Sequence, residues 1–291
     1  MIVPNFHFER LSFRTVMMKN TKVASVLLFL FLVWGCSKDG IDSPDPSIPV
    51  NKSANLLSIG ASAHDILSND NYDRLRVEIA HVTGYRPDAE AIAGFEQFLR
   101  ERTFKEDIEF IYSPLSSPNE ETLTLKKVDA LEKANRTIYT QGSTLGLYIY
   151  FADAPADTDV ESENLVTLGA VYRNTSMIVY AATIRKLTGR SSMVSTSELE
   201  HATLNHEFGH LLGLVNLGTT PLNPDHEDTK TENGTQSGNN HCNVAGCLMR
   251  AELQFGSNIL KAMESNVSKG LASLPLLEEE CLLDLRSNGG R

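Results

Sequence analysis

STSELEHATLNHEFGHLLG, Ser195 to Gly213, is the stretch from which the rest of the chain can be understood. His206 and His210 stand four apart, and on a helix such a pair projects from one face with Cβ atoms roughly 5–6 Å apart. Both imidazoles can then reach one metal ion, with Glu207 beside them to act on a water. The flanks predict that helix. Ser195 and Ser197 each precede a glutamate by three residues, Glu198 and Glu200, in the capping-box pattern. Leu204, Phe208, Leu211 and Val215 repeat at helical spacing and predict a core-facing side. Leu199, Thr203, His206, His210 and Gly213 form a second stripe, which carries the chemistry. Gly213, three residues after His210, allows the helix to stop and the chain to turn back, because glycine takes positive φ without steric cost.

Downstream comes HCNVAGCLM, His241 to Met249. With this block in view, the chain resembles the metzincin zinc peptidases, whose pattern is His-Glu-x-x-His-x-x-Gly-x-x-His followed by a methionine turn. The Cys242-x4-Cys247-x-Met249 spacing, with His241 directly before the first cysteine, is most similar to archaemetzincins. The resemblance implies Zn2+ as cofactor, His206 and His210 as metal ligands, Glu207 as the catalytic acid–base and Met249 as the methionine turn. Where metzincins place the third ligand, this chain has Asn216, a poor zinc ligand. The archaemetzincin pattern points instead to His241. His226, within Asp225-His226-Glu227-Asp228, is the alternative, since a neighbouring carboxylate can orient a ligand histidine. The later Cys-x-x-Cys with which archaemetzincins complete a second, structural zinc site is absent here. In an exported protein a Cys242–Cys247 disulfide is therefore expected, with Cys281 an unpaired, buried apolar group.

Met18 to Lys22 followed by Val23 to Trp34 reads as a basic segment and a short apolar run, too short to span a bilayer as a mature helix. It ends Leu-Val-Trp-Gly-Cys36, which resembles the lipobox of bacterial lipoproteins. That implies a signal peptide over 1–35, a start at Met17 or Met18, a lipidated Cys36 and a tether over 36–55. Ser37 to Asp42 is similar to the charged tether of surface lipoproteins of Bacteroidetes. The expected location is the cell envelope, held at the outer membrane by lipid alone, with exposure at the surface as a further expectation. The first 35 residues carry four basic residues and one acidic; the remainder has 22 basic and 36 acidic, a balance of −14. So acidic a body predicts no nucleic-acid partner.

From residue 56 to 291 one catalytic domain is expected. Leu75–His81 alternates apolar and polar and reads as a half-buried strand. Helices are predicted over 87–102 and 119–139, strands over 108–112 and 145–151, and a hairpin at 165–172 and 177–182 that leads into the histidine helix. Residues 216–241 are polar and read as a long loop, and two helices follow at 258–271 and 274–285. The fold class is α/β (α+β): a metzincin-like twisted mixed sheet ending in an antiparallel edge, with a small helical C-terminal subdomain. The resemblance implies that this edge aligns an extended peptide. The expected function is zinc-dependent hydrolysis of peptide bonds in a protein or peptide substrate by a monomer. A zinc peptidase that draws its third ligand from Glu252 or Glu264, and a zinc-containing surface lipoprotein that binds glycan or protein without cleaving it, are the alternatives.

Overall fold

The structure is a computed structural model and describes residues 50–291 apart from 161, 163, 164, 233 and 252–255. The expected signal peptide, Cys36 and the tether up to residue 49 lie outside the described residues, as does Glu252. Five strands, β1 (Arg74–Val82), β2 (Asp107–Leu115), β3 (Thr144–Phe151), β4 (Gly169–Arg173) and β5 (Ser176–Val179), form one sheet in the order β2-β1-β3-β5-β4. β1 runs parallel to both β2 and β3, and β3 parallel to β5. β4 pairs antiparallel with β5 and closes the edge. Parallel neighbours need crossovers, and helices supply them: α2 (Ala89–Arg102) between β1 and β2, α3 (Leu125–Asn135) between β2 and β3. The two crossovers step in opposite directions across β1, so right-handed connection places their helices on opposite faces. The class is thus α/β with a mainly parallel mixed sheet.

β3 shows the consequence. Leu145, Leu147, Ile149 and Phe151 point into the core shared with α2, while Tyr148 and Tyr150 point into the second core with Val128 of α3. β1 departs from its predicted half-burial. As the middle strand of a three-strand parallel unit it is covered on both faces, and its polar position Glu78 is fully buried. Glu78 accepts hydrogen bonds from the backbone N–H groups of Thr137 and Ile138 and from Ser113 Oγ, which satisfies the carboxylate without water.

Three further expectations are corrected. The helix expected over 119–139 is shorter, because Thr124 caps it by accepting from Lys127 N. The hairpin does not run straight into the histidine helix: an additional helix, α4 (Ala181–Thr188), intervenes. Its β-branched Thr183, Ile184 and Thr188 and the lack of a side-chain cap at Tyr180 hide it in the sequence. The polar stretch 216–241 is not simply a loop. It contains a hairpin of β6 (Glu227–Glu232) and β7 (Thr235–Cys242), whose strands are polar because few of their residues are buried.

The histidine helix is α5 (Thr196–Leu211), started by the Ser195–Glu198 capping box. Ser197 lies inside it. Every residue from Ala202 to Leu211 is buried, so both stripes are enclosed rather than the apolar one alone. Phe208 meets Phe95 of α2 edge to face at 5.2 Å between ring centres. Two C-terminal helices complete the chain, α6 (Gly256–Ser268) and α7 (Glu279–Ser287). Among the described residues no helix is long and apolar enough to cross a membrane.

Candidate metal centre

α5 ends at Leu211, and Gly213 takes φ +73°, where an added Cβ would fall 2.6 Å from Thr219 N. Val215 and Asn216 are also left-handed, at φ +53° and +65°. For a β-branched valine that conformation is rare, and it swings the chain sharply away from the helix. Asn216 is exposed and donates through Nδ2 to Glu227 Oε2 at 3.1 Å. Its amide therefore pins the start of the β6–β7 hairpin and does not face the histidines. Glu227 also accepts from Asn240 N at 2.7 Å, so the same carboxylate anchors the hairpin's return strand. That strand delivers His241 to the two histidines of α5.

His206, His210 and His241 form a triangle with ring centres 5.0, 5.5 and 4.9 Å apart, and one ligand atom of each lies within 4.8 Å of the others. His206 Nδ1 donates to Leu248 O at 2.7 Å, and His241 Nδ1 to Asn239 O at 2.7 Å. Both rings are thereby held in the tautomer that leaves Nε2 bare. His206 Nε2, His241 Nε2 and His210 Nδ1 are buried without a hydrogen-bond partner. Three buried, unpartnered ring nitrogens beside one another would cost several kcal/mol if nothing bound them. They fit one tetrahedral metal ion, whose ligand nitrogens at 2.0–2.1 Å would stand about 3.4 Å apart. Burial lowers the pKa of all three, His206 to about 4, so they are neutral and able to ligate.

Glu207 is buried, and burial raises its pKa to about 8. Its side chain lies against the edge strand: a Cβ on Gly169 of β4 would sit 2.6 Å from Glu207 Cγ. Met249 packs under α5 at Gly209, where a Cβ would meet its sulfur at 2.3 Å. The segment from Cys242 to Met249 is closed by Cys242 N donating to Met249 O at 2.7 Å. The loop thus carries the third histidine at one end and the floor methionine at the other, with the Leu248 carbonyl that orients His206 between them.

The expected Cys242–Cys247 disulfide is not formed. Cys242, Cys247 and Cys281 are all free and buried. They lie near one another without pairing: Cys247 Sγ lies 3.7 Å from Cys281 Sγ, and the thiols of Cys242 and Cys281 both approach Cys247 and hold its pKa down. His226 joins them, with Nε2 3.4 Å from Cys281 Sγ and 3.1 Å from Glu278 Oε1. Its Nδ1 faces Asp284 Oδ2 at 2.9 Å. His226 is therefore fully buried in this second cluster and apart from the triangle. Glu264 accepts from Ser191 Oγ and is not among the residues brought together with His206 and His210. Sequence reading passed over Glu278 and Asp284, ordinary acids of an acidic chain. The odd cysteine of the set, Cys281, was the available signal.

No protein-family model matches the chain, and no curated protein matches it. Among solved structures it is similar to archaemetzincin from Methanopyrus kandleri, at 14% identity and a TM-score of 0.45, over 74% of this chain and 96% of that one.

Proposed function

We propose that the chain is a zinc-dependent peptidase, a reading carried by one observation: three buried, neutral imidazoles with unpartnered nitrogens, and a buried carboxylate next to one of them. Three nitrogen ligands with a fourth position left for water define a catalytic zinc site more than a structural one. When bound, zinc polarises the scissile carbonyl and makes water a usable nucleophile near neutral pH. Glu207 takes the proton from the attacking water and passes it to the leaving amine. A dication in the triangle would counter the burial that raises the Glu207 pKa and leave the carboxylate ionised for that task. Edge strand β4, beside Glu207, offers backbone N–H and C=O groups to an extended protein or peptide substrate. The remaining proposals are an exported monomer tethered by lipid on Cys36, at the outer membrane and facing the exterior, with no nucleic-acid partner.

Glu207→Ala should keep its metal while cleavage of an unfolded protein falls by about 10²–10⁴ or more. Metal content and turnover measured on the same preparation check this, and wild-type turnover would overturn it. Labelling cells with a fatty-acid analogue checks the tether: wild-type protein should take up label and Cys36→Ala should take up none.

A further inference from the structure

Many cations of this acidic domain are paired with carboxylates: Arg76 with Asp107 and Glu109, Arg100 with Glu96, Arg136 with Glu132, Arg173 with Asp129. One cavity departs from that pattern. It measures about 400 Å³ and lies between the methionine loop, at Gly246 and Cys247, and α6. Two cations and two amides line it, Arg250, Lys261, Asn258 and Asn266, and among the described residues no acid does. Asn258, Lys261, Ala262 and Asn266 share one face of α6, being spaced by three and four residues. Lys261 is exposed and forms no ion pair among the described residues. Glu264, three residues further along α6, accepts instead from Ser191 Oγ at 2.7 Å.

We propose that this cavity binds the side-chain carboxylate of an acidic residue in a peptide. Its volume falls within the range of small-ligand sites, roughly 300–1,000 Å³, and a lone inorganic ion would leave most of it empty. Lys261 supplies a positive charge without a counter-charge, and Asn258 and Asn266 supply amide N–H donors on the same face. Ala262, Met263 and Pro275 supply carbon, against which the methylene groups of an aspartate or glutamate side chain can pack. A carboxylate on a short apolar stem matches both kinds of wall. A neutral or basic side chain leaves the charge unmatched.

Arg250 gives the cavity a fixed side. Its Nη1 donates to Asn243 O at 2.9 Å and to Cys242 O at 3.3 Å. The guanidinium is therefore held before any ligand arrives and loses little freedom on binding. Cys242 directly follows His241, and Arg250 directly follows Met249, so the cavity and the histidine triangle share the methionine loop. On the peptidase reading the cavity selects substrates that carry an acidic residue. Binding there needs no metal, so the site is separable from that reading.

Binding, not turnover, tests the site. Full-length Glu207→Ala protein, in which cleavage is blocked, is titrated with a fluorescent peptide carrying one central Glu and with the same peptide carrying Gln. The Glu peptide should bind about 10-fold tighter at low salt, and the difference should shrink as salt rises. Adding Lys261→Gln should cut that preference about 2- to 5-fold, and Lys261→Glu should reverse it. Both replace an exposed, unpaired side chain, and unchanged thermal unfolding checks that the fold is kept. Equal affinity for the two peptides, or a Glu preference that survives Lys261→Glu, would overturn the proposal. Free glutarate displacing the peptide at the peptide's own dissociation constant would overturn the assignment to peptides and leave the cavity to small dicarboxylates. A Glu preference in binding, together with no cleavage of either peptide by the wild type, would support this site while the peptidase reading failed.

Discussion

The histidine triangle and the cysteine cluster sit side by side, yet they are built in opposite ways. Two members of the triangle and its carboxylate come from one helix, at a spacing the α-helix alone fixes. The cluster takes His226 from a turn, Cys242 and Cys247 from the two ends of a loop, and Cys281 from the C-terminal helix. One set has three nitrogens; the other mixes an imidazole, thiols and the Glu278 carboxylate, with Asp284 behind its imidazole. A site that performs chemistry needs an open position, whereas one that only holds chain segments together is better closed. His226 teaches the same lesson, because it is buried against Cys281 and Asp284 although its sequence neighbourhood suited the triangle equally.

The largest separable effect should come from comparing the third histidine with the asparagine at the position where the metzincin pattern has one. His241→Ala should abolish cleavage and strip the triangle of metal, while Asn216→Ala should cost no more than about 1 kcal/mol of stability through the lost bond to Glu227. Metal content and denaturant unfolding of the two variants check this. Asn216→Ala losing triangle metal would break the division drawn here.

A smaller effect is expected at the edge strand. Gly169→Ala places a methyl group where the Glu207 side chain lies, so the carboxylate must shift by several tenths of an ångström. Cleavage should fall about 10- to 100-fold with metal content unchanged, since displacement of a reacting group by about 1 Å can cost that much. Equal activity of Gly169→Ala and wild type in a turnover assay would remove the edge strand from the site.

The smallest effect concerns Glu200, on the same helix but outside both sets. Its Oε2 accepts from Asp88 N at the start of α2, and burial raises its pKa to about 7. A carboxyl raised in the folded state binds its proton more tightly there than in the unfolded chain. Its contribution to stability is therefore fully present below its unfolded pKa near 4.5 and lost as pH rises through its folded value of about 7, by roughly 3 kcal/mol at most. Glu200→Gln should flatten that part of the pH profile of unfolding relative to wild type, with metal content at the histidine triangle unaffected.

Much of the fold was legible because periodicity is a local property. The crossover helices, the strands and the antiparallel edge follow from apolar spacing and turn residues, and the Ser195–Glu198 cap and Gly213 mark where α5 starts and where the chain turns. Glu78 shows where that reading fails: alternation suggested solvent on one side, but pairing with two neighbours buried the carboxylate, and only distant donors make it tolerable. α4 and the β6–β7 hairpin were hidden for a related reason, since neither carries an apolar pattern strong enough to show its period.

The sequence by itself determined that two imidazoles and a carboxylate share one helix, because four residues nearly complete a turn whatever surrounds it. It also determined that the chain turns soon after, at a glycine. Only the tertiary structure decided which histidine joins them and what the cysteines do. Those choices depend on where a 30-residue excursion returns, and that is set by bonds between residues far apart in sequence: Glu227 to Asn216 and Asn240, Cys242 to Met249, and His226 to Asp284. No local spacing encodes such closures, because each one depends on distant segments meeting in the packed fold.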